Sequence, residues 1–333
     1  MISTRARFLD LHPPAADLEQ LVVSGLLRQP RQLPAWLLYD AEGSRLFELI
    51  CEQPEYSLTR TETALLEQQA QAMAAAIGPG TGMVVEFGAG NARKVGPLLR
   101  AMQPAVYAAL DISASPLQQA CDNLQRQHPQ VAVMGLCCDY SQLPQLPPDP
   151  LLQRQPRLGF YPGSSLGNFT PPEAQALLQQ MRLLLGPGGQ LLIGIDQPKP
   201  VDRLEAAYND AAGVSAAFAR NLLVRLNNDL DGDLDPDSFA YRAWWQGEHS
   251  RIAMALISRR DQRVRLAQRP WSFAAGEALI TEYSVKYSPQ AFAALVAAAG
   301  WRLQQSWSDP AGDLSLHLLH QADSTLACQA PLP

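Results

Sequence analysis

The chain has 333 residues, 47% hydrophobic and 17% charged, a composition with ample core and length for two domains. A net charge of -6 without any basic run argues against a nucleic-acid partner, because phosphate binding needs clustered Lys and Arg. No apolar stretch approaches a membrane span of roughly 18 residues, and no signal-peptide core is visible. A cytoplasmic protein without membrane contact is expected.

In chain order, the first dozen or so residues read as a loose arm, followed by helical segments at 16–23, 43–50 and 61–77. Strands are then expected at 83–87, 105–110, 131–137, 157–162 and 190–195, with helices at 94–102, 116–127 and 171–185 between them. Such alternation implies parallel βαβ units. The helix at 171 carries a start signal: Thr170 as cap, Pro171 first, and Glu173 three residues after the cap. The Pro- and Gln-rich stretch 144–156 reads as a surface loop. After Asp196 the pattern changes to a helix over 202–228, an acidic loop, and strand formers at 241–245 and 252–256. A helix at 289–299 and strands at 301–307 and 314–319, in hairpin order, close the chain.

The most informative run is Val84-Val85-Glu86-Phe87-Gly88-Ala89-Gly90-Asn91, a buried strand that breaks into a glycine turn. A dinucleotide fingerprint needs Gly-x-Gly-x-x-Gly, and Arg93 stands at the third glycine position. A nicotinamide oxidoreductase is therefore disfavoured, and S-adenosylmethionine fits better. Glu86, Asp111 and Asp139 recur at successive strand ends, where open α/β sheets bind ligands. Gly88 and Gly90 allow close backbone approach, Asp111 suits ribose hydroxyls, and Asp139 suits an adenine amino group with Tyr140 packed on the ring. An α/β core interrupted by an insertion and closed by a strand hairpin is the plan of a class I methyltransferase, a Rossmann-like doubly wound sheet.

Other candidates are weaker. The loop 161–169, with two glycines and the Asn168 amide, suits an acceptor-substrate contact; the alternative is a turn in which Asn168 bonds its own backbone. The run 227–238 resembles a calcium loop, but Ser238 replaces the bidentate Glu and Pro236 interrupts it. It reads as a solvated helix–helix connection, and no metal is expected. His12, His128, His249, His317 and His320 show no ligand spacing, and the last two read as structural. The five cysteines, Cys51, Cys121, Cys137, Cys138 and Cys328, form no Cys-x-x-Cys pair and read as reduced thiols. A Ser/His/Asp hydrolase is not expected, because no Gly-x-Ser-x-Gly elbow is read after a strand.

Several stretches together resemble the histidine-specific Nα-methyltransferases of ergothioneine biosynthesis. They are 38–47 (LYDAEGSRLF), 54–62 (PEYSLTRTE), Glu86 to Gly90, 163–168 (GSSLGN), 207–210 (AYND) and 281–284 (TEYS). The resemblance covers about residues 20–321. It implies a methyltransferase domain from 61–196 plus 287–321, an inserted α+β histidine-binding domain from 15–60 plus 197–286, and tails at 1–14 and 322–333. It further implies S-adenosylmethionine contacts from Gly88, Lys94, Asp111, Asp139 and Tyr140. Asn168 and Tyr208 would bind the substrate carboxylate. Tyr56, Glu282 and Ser284 would face the histidine, the last two reading the imidazole, with Tyr39, Phe47, Phe218 and Met254 as walls. The chain departs from the family at Ser57-Leu58, commonly Tyr-Pro, and at Tyr140, often Phe.

Neutral imidazole has one donor and one acceptor, so a carboxylate and a hydroxyl on one strand face make a matched pair. The expected reaction is successive methyl transfer to the α-amine of histidine, ending at the trimethylated betaine hercynine. In-line displacement at a sulfonium needs alignment rather than a metal or a nucleophilic side chain. Tyr39 and Tyr56 would orient the amine while water takes the proton. Glu282 speaks against another amino acid such as tryptophan, because an indole would leave its second oxygen unpaired. The intact Asp111, Asp139 and Asn168 speak against a binding protein with a dead cofactor fold. A monomer is expected.

Overall fold

The computed structural model describes residues 5–11 and 18–322. The expected helix start at 16–17, His12, Cys328, half of the 1–14 tail and nearly all of the 322–333 tail lie outside them. The alternating strands and helices build one eight-stranded sheet. Its order is Arg7–Asp10, Ala132–Cys137, Val106–Asp111, Met83–Phe87, Arg157–Tyr161, Gln190–Asp196, Leu314–Gln321, Trp301–Ser308. The first six run parallel, and the last two form the antiparallel closing hairpin.

Strand order reverses on either side of Met83–Phe87, which makes its carboxyl end the topological switch point. Every residue of this strand is buried, as a central parallel strand requires. One apolar core, with Val84, Tyr107 and Leu192, lies against the helix Leu58–Ile77 and runs on into the N-terminal and inserted helices. The other, with Val85, Phe87 and Tyr161, lies against the helices Pro171–Leu185 and Pro289–Ala298. Thr170 and Glu173 form the expected capping box.

The insertion contributes helices Val201–Tyr208 and Val214–Leu230, then strands Phe239–Gln246, Arg251–Ser258 and Ala278–Val285. With Arg31–Gln32 these strands make a separate four-stranded sheet, so the N-terminal segment and the insertion share one element.

Four expectations are corrected. The 227–238 connection runs from a helix into the strand Phe239–Gln246 rather than into a second helix. The single helix over 202–228 is two helices. The Asn209 side chain bonds both the amide and the carbonyl of Ala243, and the Asp210 carboxylate accepts from Val214 N and Ser215 N, starting a new helix. The loose arm contains an edge strand, Arg7–Asp10, paired in parallel with Met134 to Cys137. The hairpin Gln262–Leu266 and Arg269–Phe273 was not expected, although Val264 and Leu266 are buried between exposed arginines. Among the described residues no helix is long and apolar enough to cross a membrane.

Candidate active site

At the switch point the chain turns through Gly88 (φ +67) and Gly90 (φ +54), backbone conformations that favour glycine. Gly88 N and Ala89 N both donate to Leu110 O, which ties the turn to the neighbouring strand. A side chain on Gly88 would lie 3.3 Å from the Tyr140 hydroxyl. The Tyr140 ring packs edge-on to Phe87 at 5.7 Å. Asp111 ends its strand and accepts from Gly90 N (2.9 Å) and Ser113 N (3.0 Å). Burial raises its pKa against the pull of those amides. Asp139 accepts from Ser141 N, Ser141 Oγ and Gln142 Nε2, all in its own loop. Glu86 lies inside the sheet, accepting from the Tyr107 hydroxyl at 2.5 Å, and burial pushes it up to about 8.

Lys94 is held by Glu62, whose carboxylate also accepts from Gly163 N at 2.8 and 2.9 Å. Glu62 is fully buried on the long helix and crowds Gly194, where a Cβ would fall 2.1 Å from its Oε1. In the sequence Glu62 stands only as the last residue of the 54–62 stretch, with no role of its own. Its signal was a carboxylate on the apolar face of that helix. An open glycine turn, carboxylates at adjacent strand ends, an ammonium and an aromatic ring together fit the diol, amine, carboxylate and base of S-adenosylmethionine.

The second group of residues comes from the N-terminal segment and the insertion. Tyr39 packs edge-on to Phe47 (5.5 Å) and Phe218 (5.3 Å), and Phe47 to Tyr56 (6.4 Å). Tyr56 stands perpendicular to Tyr208 at 5.9 Å. The helix carrying Phe47 is capped by Asp40, which accepts from Gly43 N and from the Asn221 amide of the inserted helix. Burial first, then the neighbouring Glu282 charge, holds the Tyr39 phenol well above its ordinary pKa; burial, then Tyr208, does the same for Tyr56.

Tyr208 ends its helix with its hydroxyl 2.9 Å from Ser284 Oγ. Glu282 pairs in register with Met254, which packs with Leu204 and Tyr208. The Glu282 carboxylate has no hydrogen bond or ion pair among the described residues, and burial pushes it up to about 8 against the pull of Lys286. Gly167 backs onto the same strand so closely that a Cβ would fall 2.6 Å from Val285 O. That contact sets the neighbouring, half-buried Asn168 beside it, and the Asn168 side chain makes no bond to its own turn. The expected site residues thus fall into two groups, a glycine-turn group and an aromatic pocket, joined through Lys94, Glu62 and the 163–168 loop.

Three members were missed: Asp196, Lys199 and Lys286. Lys286 is fully buried and paired with Asp196 at 2.6 Å; Lys199 meets the other Asp196 oxygen at 2.7 Å. The signal for Lys286 was the strand period, because residues 282, 284 and 286 share a face. The ground for excluding a hydrolase is also corrected. Gly163-Ser164-Ser165-Leu166-Gly167 has the Gly-x-Ser-x-Gly spacing directly after a strand. The Ser165 hydroxyl donates to Pro162 O, however, and among the described residues no histidine partners it. His317, the buried histidine of the last strand, bonds Ser306.

The fold and this site define a class I, S-adenosylmethionine-dependent methyltransferase. A family described as histidine-specific methyltransferase, SAM-dependent, matches residues 18–321, and the chain belongs to it. It is 38% identical to the histidine N-alpha-methyltransferase of Mycolicibacterium smegmatis, over 96% of this chain and 99% of that one. The enzyme of the same name from Mycobacterium tuberculosis is 36% identical, over 90% of this chain and 94% of its own. Ergothioneine biosynthesis protein 1 of Neurospora crassa is 30% identical over 95% of this chain, which spans 37% of that protein.

Proposed function

We propose that the pocket between Tyr39, Tyr56, Tyr208 and Glu282 holds L-histidine with its α-amine toward the glycine turn, where it is methylated successively to the trimethylated betaine. The observation that carries this reading is the Glu282 carboxylate, charged at neutral pH only at a cost and lacking any donor among the described residues. An imidazole N–H is the donor it lacks.

In this reading Asn168 and Tyr208 bind the substrate carboxylate, and Glu282 and Ser284 take the two ring nitrogens. Phe47, Phe218 and Met254 wall the pocket. Tyr39 and Tyr56 stay protonated and orient the amine, while solvent accepts its proton. Gly88, Gly90, Lys94, Asp111, Asp139 and Tyr140 hold S-adenosylmethionine, and Glu86 braces their turn. When bound, that molecule supplies an electrophilic methyl on a sulfonium. The chain contributes alignment and exclusion of water. The substrate side belongs to a domain of 15–60 plus 197–286, and the cofactor side to one of 61–196 plus 287–321. The shared four-stranded sheet supports that division. A cytoplasmic monomer completes the reading.

The test is mass spectrometry of products from the purified protein with S-adenosylmethionine and a panel of amino acids. A gain of three methyl groups on histidine is expected. Methylation of tryptophan or leucine in preference to histidine would overturn the reading.

A further inference from the structure

The Lys286 ammonium is fully enclosed, and each of its three donors has a partner. They are Asp196 Oδ2 at 2.6 Å, Tyr208 Oη at 2.7 Å and Ser284 Oγ at 2.7 Å. The ammonium also sits 4.9 Å from the centre of the Tyr208 ring. Burial works against its charge, yet Asp196 and Tyr208 hold its pKa above the ordinary value.

An ammonium cannot accept a hydrogen bond. Both hydroxyl oxygens must therefore accept from Lys286, which directs their own protons elsewhere. The two hydroxyls are 2.9 Å apart, and one proton can lie between them. Once the Tyr208 proton turns to a substrate carboxylate, the Ser284 proton is free to serve a ring nitrogen. Without Lys286 both lone pairs of Ser284 are open, and accepting from the ring competes on equal terms with donating to it.

We infer that Lys286 is a specificity-determining positioning residue: by occupying one lone pair of Ser284 it favours Ser284 as a donor, so that the imidazole enters with its bare nitrogen on Ser284 and its N–H on Glu282. The inference rests on the assignment of Ser284 to the imidazole. It adds a fixed ring orientation and a single preferred tautomer. It also couples the two ends of the substrate, because one ammonium orders the hydroxyl at each end.

The experiment is a double-mutant cycle with Ser284→Ala, Lys286→Met and the double variant. Specificity constants are measured for histidine and for 2-thienylalanine, whose five-membered ring has no nitrogen. Affinity for S-adenosylhomocysteine by calorimetry reports folding. Lys286→Met is expected to lower the preference for histidine on the order of tenfold or more, as Ser284→Ala does, and the double variant should fall no further. Cofactor-product affinity should hold.

An equal loss on both substrates, or additive losses in the double variant, would overturn the role of Lys286. If Ser284→Ala lowers the preference and Lys286→Met does not, the Lys286 inference fails alone. If Ser284→Ala leaves the preference intact, the assignment of Ser284 fails and takes the inference with it. Should Lys286→Met not fold, Lys286→Arg carries the same ratio test: it keeps a charge opposite Asp196 but moves the donors into a planar fork.

Discussion

In the proposed reading, Glu282 concentrates the chemistry of the pocket in one side chain. Removing it should flatten discrimination, because a site built to hydrogen-bond a substrate group rejects analogues that leave its polar atoms unpaired. Glu282→Ala is expected to lower kcat/KM for histidine by roughly tenfold to a hundredfold while barely changing that for tryptophan or leucine. Specificity constants for the three amino acids check this, and unchanged ratios would remove Glu282 from the reading of the side chain. The same residue carries a pH signature. Its pKa is raised from 4.5 to about 8. Below the lower value the folded and unfolded chains both hold the proton; between the two values only the folded chain does. Stability is therefore lost as pH rises toward the folded value. Glu282→Gln should raise the melting temperature of the unliganded enzyme by a few degrees at about pH 8.5 and hardly at all at about pH 5. On the cofactor side, Asp111→Ala should weaken S-adenosylmethionine binding by about 1.5–3 kcal/mol, read by calorimetry. An unaltered dissociation constant would take Asp111 out of the site.

At the scale of elements, period and punctuation compete. Strand period made Glu282 and Ser284 legible as one face, and the same count extended by two reaches Lys286. It was overlooked because a lysine in a strand reads as solvated, and only the fold supplies the buried Asp196 opposite. The helix over 202–228 failed for the opposite reason. Its apolar period is continuous, but Asn209 and Asp210 spend their side chains on backbone groups, one of them on a strand distant in sequence. That break leaves Tyr208 as the last helical residue, facing the pocket. The 163–168 loop depends on contact rather than on period. Gly167→Ala would drive a methyl into Val285 O, so the loop must shift. We expect KM for histidine to rise several-fold through displacement of Asn168 while affinity for S-adenosylhomocysteine changes little. A fall in both alike would mean that the loop serves the whole fold rather than the substrate.

At the scale of the molecule, the α/β order of the sheet was legible because each strand is apolar and each crossover helix is punctuated. The N-terminal contribution to the second sheet was not, since Arg31–Gln32 is too short to carry a pattern. One apolar cluster runs from Leu66 on the long helix to Leu222 and Leu256 in the insertion. The proposed domains therefore share a core, and calorimetry is expected to record one unfolding transition rather than two. The 227–238 loop should not alter that transition. Asn227 is bonded to Leu234, Asp233 accepts from Arg265 N, Asp235 from Asp237 N, and Asp229 pairs with Arg225. Millimolar calcium should leave the melting temperature unchanged, and a chelator-sensitive rise would refute this.

The strand Arg7–Asp10 lies outermost in the large sheet. Its pairing covers the hydrogen-bonding edge of Ala132–Cys137, a run with five of its six residues buried. An uncovered edge of that kind is a template for a second chain. A version of the protein beginning after Leu11 should therefore self-associate as concentration rises, visible by light scattering, before it loses any affinity for histidine. The opening residues would then act as a guard on solubility, set apart from the chemistry they border.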